Sequence, residues 1–342
     1  MRTQKGIFLV IGLCIAVLML FSNTVFARPI ELNFNLFIHA QHNRYVQCHT
    51  PWIKMIEERT AGKIKITPYF SNSLTPFPEK FDSTVDGIAD ISEGLAFVNP
   101  GKFPMTEMLM LPELGLQNAE RSSKAWWHIY KTMPAMQKEY AGVKMLFLHT
   151  SPSLMIATRN KPIRKLEDLK GLKIQTAGAI PANTARALGF TPVAMNPGEI
   201  YLALEKGVID GCTSDYEMAI SRRAYEVTKY MTSNLYIGHG QFYMIMNQGV
   251  WDSLPKDVKK VFEELTGDWA VDFYGKVRDK GEEECIKEIV EKGVELIPLP
   301  PEELAKAKAL LAPVREKYAE ELEAKGLPGK KALAEWEKFA VK

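Results

Sequence analysis

The segment from Lys161 to Asp215 constrains the fold most strongly, because it alternates strand and helix and marks the helix ends. Leu172 to Thr176, within KPIRKLEDLKGLKIQTAG, reads as a short strand. In MNPGEIYLALEKGVIDG, Asn196 suits an N-cap, Pro197 the first helical position and Glu199 the acidic place of a capping box. Leu202, Leu204 and Val208 are apolar anchors, and Gly207 can end the helix. Val208-Ile209 then begins a strand, Asp210-Gly211 turns, and Thr213, Ser214 and Asp215 gather at the strand's end. Open α/β sheets hold ligands outside the carboxyl ends of their strands. Ser214 to Tyr216 is therefore either a ligand rim or an ordinary strand–loop–helix corner.

The alternation runs through the chain. Leu32, Phe34 and Leu36 alternate with Glu31, Asn33 and Asn35, a half-buried strand. A helical stretch ends at Thr60, and Ala61-Gly62 closes it before a strand from Lys63 to Tyr69. Pro51 lies within that stretch, so either the helix kinks there or its regular part begins near Thr50. A helix around Glu79 to Val85 and a strand from Ala89 to Ser92 follow, with further strands at Val143 to Leu148, Leu154 to Thr158 and Phe242 to Asn247. This order predicts α/β domains with largely parallel sheets. From Lys256 to about Lys292, apolar residues recur three or four apart, from Val258 and Phe262 through Trp269 and Phe273 to Val277. They predict one helix of roughly 50 Å that braces two lobes, with Gly267, Gly275 and Gly281 as its weak points. Pro301 to Val341 reads as a helical, charged, solvated outer layer.

Arg2 and Lys5 precede the 15-residue uncharged apolar run Ile7 to Phe21, and Val25-Phe26-Ala27 closes it. That is the pattern of a signal peptide cleaved after Ala27, with an apolar part shorter than the roughly 20 residues of a spanning helix. Cys14 lies inside the apolar core rather than closing it, which argues against lipid attachment. The mature chain, Arg28 to Lys342, has formal charge +2 − 2 = 0, which suggests neither a nucleic-acid nor an anionic-membrane partner. It exceeds one typical core and predicts two domains, and no second apolar run is long enough to span a membrane. Cys48, Cys212 and Cys285 form no disulfide framework; three buried thiols or a single bridge are the readings. His39, His42 and His49 near Glu57 and Glu58 match no zinc spacing, so neither metal nor cofactor is expected. Neither Cys48 nor Cys212 has a fixed base partner, and no nucleophile-elbow or phosphate-loop motif occurs, so no catalytic site is expected.

LEDLKGLKI followed by a polar segment, LG-x-TPV-x-M, E-x-Y-x-AL-x-KG and VIDG occur in this order, with TAGKIKI, DGIADI, NPGKFPMTEMLMLPEL and QFYMIMNQGVWDSLP elsewhere. Together they resemble the solute-binding proteins of tripartite ATP-independent periplasmic (TRAP) transporters, the C4-dicarboxylate-binding type. The resemblance implies an α/β, two-lobed periplasmic binding-protein fold with a long helix spanning both lobes. It implies residues 1–27 as a signal peptide, 28–152 and 241–280 as lobe I, and 153–240 and 281–342 as lobe II. It further implies a monomeric periplasmic protein that captures a small organic solute and delivers it to ion-gradient-driven TRAP membrane permease subunits. A periplasmic enzyme or a ligand-presenting sensor on the same scaffold is the alternative.

The family's carboxylate-binding arginine falls where this chain has Gln175, and a second basic position of some members falls near Met155. Glutamine offers two donors and an acceptor but no counter-charge. The resemblance therefore implies a solute that is uncharged at this end or anchored elsewhere, with Arg159 the nearest substitute. It also implies cleft positions for His39 after the first strand, Phe97 after the ADI strand, Ser214 at an asparagine place of relatives, Tyr216 for stacking, and Gln241 on the strand returning to lobe I. As alternatives, Arg159 is a surface arginine, His39 a loop residue and Phe97 plain core.

Overall fold

The structure, a computed structural model, describes residues 28–112, 117–195 and 197–340. The expected signal peptide and the Asn196 cap lie outside the described residues. The strands are β1 (Ile30–Asn35), β2 (Ile64–Tyr69), β3 (Ile91–Leu95), β4 (Val143–Ser153), β5 (Met155–Thr158), β6 (Lys173–Gln175), β7 (Thr191–Val193), β8 (Gly211–Ser214), β9 (Tyr230–Thr232), β10 (His239–Asn247) and β11 (Glu295–Ile297). They form two sheets, ordered β2-β1-β3-β10-β4 in lobe I and β11-β9-β5-β8-β6-β7 in lobe II. Strand β8 starts at Gly211, later than expected, because Val208 to Asp210 form the turn and leave Val208 58% exposed.

The sheets are mixed rather than largely parallel, for a topological reason. Strand β4 carries the chain toward lobe II, and β5 follows after the single residue Leu154. A strand that enters a lobe from the gap must run away from it. Accordingly β5 is antiparallel to β8 and β9, while β6 is parallel to β7 and β8. Strand β10 re-enters lobe I in the same way, antiparallel to β3 and β4. The remaining strands end at the gap. The two crossing segments bond to each other, Leu154 N–H to Gly238 O at 2.7 Å and Ile237 N–H to Leu154 O at 3.0 Å. Gly238 has φ +137°, and a Cβ there would meet Met110 O at 3.0 Å, so this crossing requires glycine.

The helices that matter for the site are α1 (Thr50–Arg59), α2 (Lys80–Val85), α3 (Ala119–Thr132), α4 (Ala179–Leu188), α5 (Ile200–Glu205), α6 (Tyr216–Ser221), α7 (Lys256–Glu264), α8 (Gly267–Glu291), α9 (Pro301–Ala324) and α10 (Gly329–Ala340). Helix α1 begins at Thr50 with Pro51 in its first turn, after a π-helical turn at Tyr45–His49. The expected single helix from Lys256 is broken. Thr266 is extended and Gly267 takes φ +58°, while Trp52 Nε1 donates to the freed Leu265 carbonyl at 2.9 Å. The spanning helix is thus α8 alone, about 37 Å long at 1.5 Å per residue.

Adjacent residues of β5 serve opposite faces of the lobe II sheet: Met155 and Ala157 join one core, Ile156 the other. Helix α8 spans both lobes, with Val271 and Tyr274 in the lobe I core and Cys285 and Ile289 in a lobe II core. Helix α9 is a second strap. Ala307 and Leu311 pack in lobe II, Leu322 in lobe I, and Pro313 lies between them. Arg315 and Tyr318 donate to the carbonyls of Pro112 and Pro104, at 3.3 and 2.8 Å. Ala332 and Trp336 of α10 return to the lobe I core. The expected solvated outer layer therefore describes only the outward faces of α9 and α10, and the expected 281–342 span of lobe II does not hold α10. Cys48, Cys212 and Cys285 are buried and free. Among the described residues, no helix is long and apolar enough to cross a membrane.

Gly275 lets α8 approach α3 closely: a Cβ would lie 2.5 Å from Glu120 Cα. Gly275→Ala is expected to force the helices apart and to cost about 1–3 kcal/mol in urea denaturation. Gly198→Ala, where a Cβ meets nothing within 4 Å, should leave the midpoint within about 0.5 kcal/mol of wild type.

Candidate functional site

Lobe I presents an aromatic edge backed by a buried ion network. Phe37 stands 4.8 Å from Phe77 and lies parallel to Phe242 at 6.4 Å. The Arg44 guanidinium covers Phe242 at 4.2 Å and Phe37 at 5.2 Å, and Arg278 approaches the Phe242 ring at 5.4 Å. Beneath them Glu93 of β3 is fully buried. Its carboxylate meets Arg44 Nη2 at 3.0 Å, His149 Nε2 at 3.1 Å and His49 Nε2 at 3.2 Å. Burial alone would raise its pKa, but Arg44 and the two histidines hold it well below the carboxylate range. Burial pushes His149 down to about 3 against the pull of Glu93, so the imidazole is neutral.

Lobe II and α8 close on this edge. Asp215 caps α6, its Oδ1 accepting Met218 N–H at 2.7 Å. Glu282 of α8 accepts the N–H groups of Tyr216 and Glu217 at 2.9 and 3.1 Å. Arg278 Nη2 lies 3.1 Å from Glu217 Oε2, and His42 Nδ1 of lobe I lies 3.2 Å from Glu217 Oε1. Burial and the neighbouring Glu217 push Asp215 up to about 6, with Arg278 opposing. Arg44, Arg278, Glu217 and Glu282 border an interlobe cavity of about 10 Å³, room for a single water.

Of the residues singled out from sequence, three converge. Gln175 ends β6, Ser214 ends the neighbouring β8, and Tyr216 opens α6, all buried at the gap edge of lobe II. Ser214 Oγ donates to the Asp215 carbonyl at 2.7 Å. Gln241 starts the lobe I side of the crossing; its Nε2 donates to Glu107 O at 3.4 Å, and its buried Oε1 has no partner among the described residues. His39 is exposed, its ring 5.6 Å from that of His42, and Phe97 is half-buried against the lobe I core. Arg159 is a correction. Because β5 runs away from the gap, Thr158 pairs with Gly211 at the start of β8, while Met155 pairs with Ser214 at its end. Arg159 therefore sits at the far edge, where its Nη2 donates to the Glu205 carbonyl at 3.1 Å and completes the end of α5.

Sequence reasoning missed Arg44, Glu93, Phe242 and Arg278. Glu93 carried a signal, a lone acid inside the apolar strand ISEGL. Tyr274, Arg278 and Glu282 carried another, since residues four apart share one helix face and place two charges in line with buried Val271.

Two α/β lobes joined by crossing strands, with buried polar groups gathered where their strands end, define a two-lobed binding protein. Residues 37–321 match the family described as bacterial extracellular solute-binding protein, family 7 (DctP), and the chain belongs to it. A monocarboxylate 2-oxoacid-binding periplasmic protein of Nostoc sp. is 25% identical over 84% of this chain and 78% of its own length. The crystal structure of a TRAP solute-binding protein from Rhodoferax ferrireducens, with copurified benzoate, is 25% identical with a TM-score of 0.85, covering 91% of this chain and 98% of that one. That of a TRAP periplasmic solute-binding protein from Desulfovibrio salexigens is 30% identical with a TM-score of 0.82, covering 92% and 96%. It is an open complex whose ligand-binding site holds the C-terminus of a symmetry mate. The protein is thus a solute-binding subunit of the TRAP type.

The buried network makes stability depend on pH. Between pH 6.5 and about 3 an unfolded His149 takes a proton that the folded one refuses. Stability therefore falls as pH drops through that window, by about 1.4 kcal/mol per pH unit for one such histidine. Glu93, held low, adds a loss below the ordinary glutamate value of 4.5, whereas Asp215, raised to about 6, acts in the opposite sense above 3.8. His42 and His49, also lowered by burial, act in the same window, so His149→Phe should reduce the slope of stability between pH 6.5 and 4.5 by about 1.4 kcal/mol per pH unit without abolishing it; an unchanged slope in urea denaturation would show that His149 does not contribute.

Proposed function

We propose that this protein captures a small carboxylic acid, aromatic acids foremost, in the gap between its lobes and passes it unchanged to TRAP membrane permease subunits. Gln175, Ser214 and Tyr216 contact the solute from lobe II, and Phe97, Gln241 and His39 from lobe I. The protein works as a monomer in the periplasm once residues 1–27 are removed, and it catalyses no reaction. The observation that carries this reading is the edge of Phe37, Phe77 and Phe242, with Arg44 over two of the rings. A flat apolar body with an acidic end suits such an edge. The relatives agree in chemistry: benzoate, a 2-oxoacid and a polypeptide C-terminus each present one carboxylate.

Thermal melting of residues 28–342 with benzoate, mandelate, pyruvate, succinate and the matching amides tests the solute class. A bound acid at 100 times its Kd adds about 2.7 kcal/mol, and mass spectrometry should recover it unaltered. Stabilisation by the amides alone would remove the carboxylate reading, and turnover would remove the carrier. With an acid that binds, Gln175→Ala should weaken affinity about fivefold, the worth of one hydrogen bond near 1 kcal/mol. The periplasmic protein should begin at Arg28 by intact mass.

A further inference from the structure

Among the described residues, Lys80 is a buried cation with no acidic partner within 4.0 Å. It opens α2 and is fully buried. Its Nζ donates to Asn35 Oδ1 at 2.6 Å and to Thr75 O at 2.8 Å. An ammonium has three N–H groups, and the third finds no acceptor among the described residues. Burial lowers its pKa to about 8 while the field of Glu79 raises it, so at neutral pH the group stays mostly charged. Glu79, its chain neighbour, acts on it through its field alone. The two buried arginines differ in this respect: Arg44 has Glu93 at 3.0 Å, and Arg278 has Glu217 at 3.1 Å. An ammonium removed from water without a counter-charge is unfavourable, so the fold keeps Lys80 against its own stability.

Its position indicates what would balance it. Asn35 is the last residue of β1, one of the strands that end at the gap. Phe77, three residues before Lys80, packs on Phe37, two residues after Asn35, at 4.8 Å. The cation is thus bonded to the residue that ends β1, and the chain segments on either side of this contact carry Phe37 and Phe77 of the aromatic edge. We propose that Lys80 is the counter-charge for the solute's carboxylate, supplying from lobe I the charge that Gln175 lacks in lobe II. The solute then lies with its acid group toward the β1–α2 corner and its uncharged part toward Gln175 and Ser214. This inference rests on the solute-binding reading and adds the orientation of the bound acid.

The experiment compares wild type, Lys80→Met and Lys80→Gln by calorimetry with benzoate, mandelate, pyruvate and succinate, and with benzamide as the uncharged control. Both variants are expected to lose at least tenfold in affinity for whichever acid binds wild type, and to keep any benzamide binding. Without solute, Lys80→Met should melt at or above the wild-type temperature, because an unbalanced charge is gone. A lysine that only pins the Thr75 loop predicts the reverse, a lower melting temperature with affinity unchanged, and that result overturns the proposal. Lys80→Gln keeps a donor for Asn35 and supplies the affinity measurement should Lys80→Met not fold. If no acid binds wild type, the carboxylate reading falls and this inference with it; if an acid binds wild type and variants equally, this inference falls alone.

Discussion

Everything about the site follows from the way the backbone crosses between the sheets. Leu154 separates β4 from β5, and its N–H and carbonyl bond to Gly238 and Ile237 of the return crossing. A chain that enters each sheet from the same side must send one strand away from the gap. The others then end there, Gln175 and Ser214 in one lobe and Asn35 and the β3 end in the other. Glycine at position 238 makes the passage possible, since its φ of +137° disfavours other residues and a Cβ there would crowd Met110 O at 3.0 Å.

The charges between the lobes form two linked groups. Glu93 is held by Arg44, His49 and His149 inside lobe I, whereas Glu217 is shared by His42 from lobe I and Arg278 from α8. Buried ions contribute little net stability, because desolvation offsets their attraction, but breaking one partner away is costly. Such a network therefore specifies how the lobes meet more than it strengthens either. Helix α8 lies within it because Arg278 and Glu282 recur one turn apart on the face that carries Tyr274.

Much of the architecture was legible in the chain, and the misses share a cause. Alternating apolar residues placed β1, because that signal acts within a few neighbours; for α1 the sequence left open a kink at Pro51 or a start near Thr50, and the regular helix begins at Thr50 after a π-helical turn. The end of β4 and the start of β10 were under-read, since both strands extend into the crossing, where long-range pairing replaces local pattern. The break at Gly267 was invisible in the apolar periodicity, which continues from Phe262 to Phe273 as if the helix were whole. Among the expected site residues, Ser214 was singled out through a strand end and Gln175 through the family resemblance, and the two end neighbouring strands. Arg159 was misplaced because sequence proximity to Met155 says nothing of strand direction, which carries it to the far edge. Gly275 and Gly281 looked like weaknesses in the helix and are close approaches instead, to Glu120 and to the Gln47 side chain.

The thiols of Cys48, Cys212 and Cys285 carry a practical consequence. Each sits in packed surroundings, where burial pushes Cys48 and Cys285 up to about 12 and Cys212 to about 11. Thiols so rarely ionised resist oxidation and exchange. With no bridge among the described residues, the fold draws none of its stability from a covalent cross-link, and a reducing agent removes nothing that holds the two lobes together.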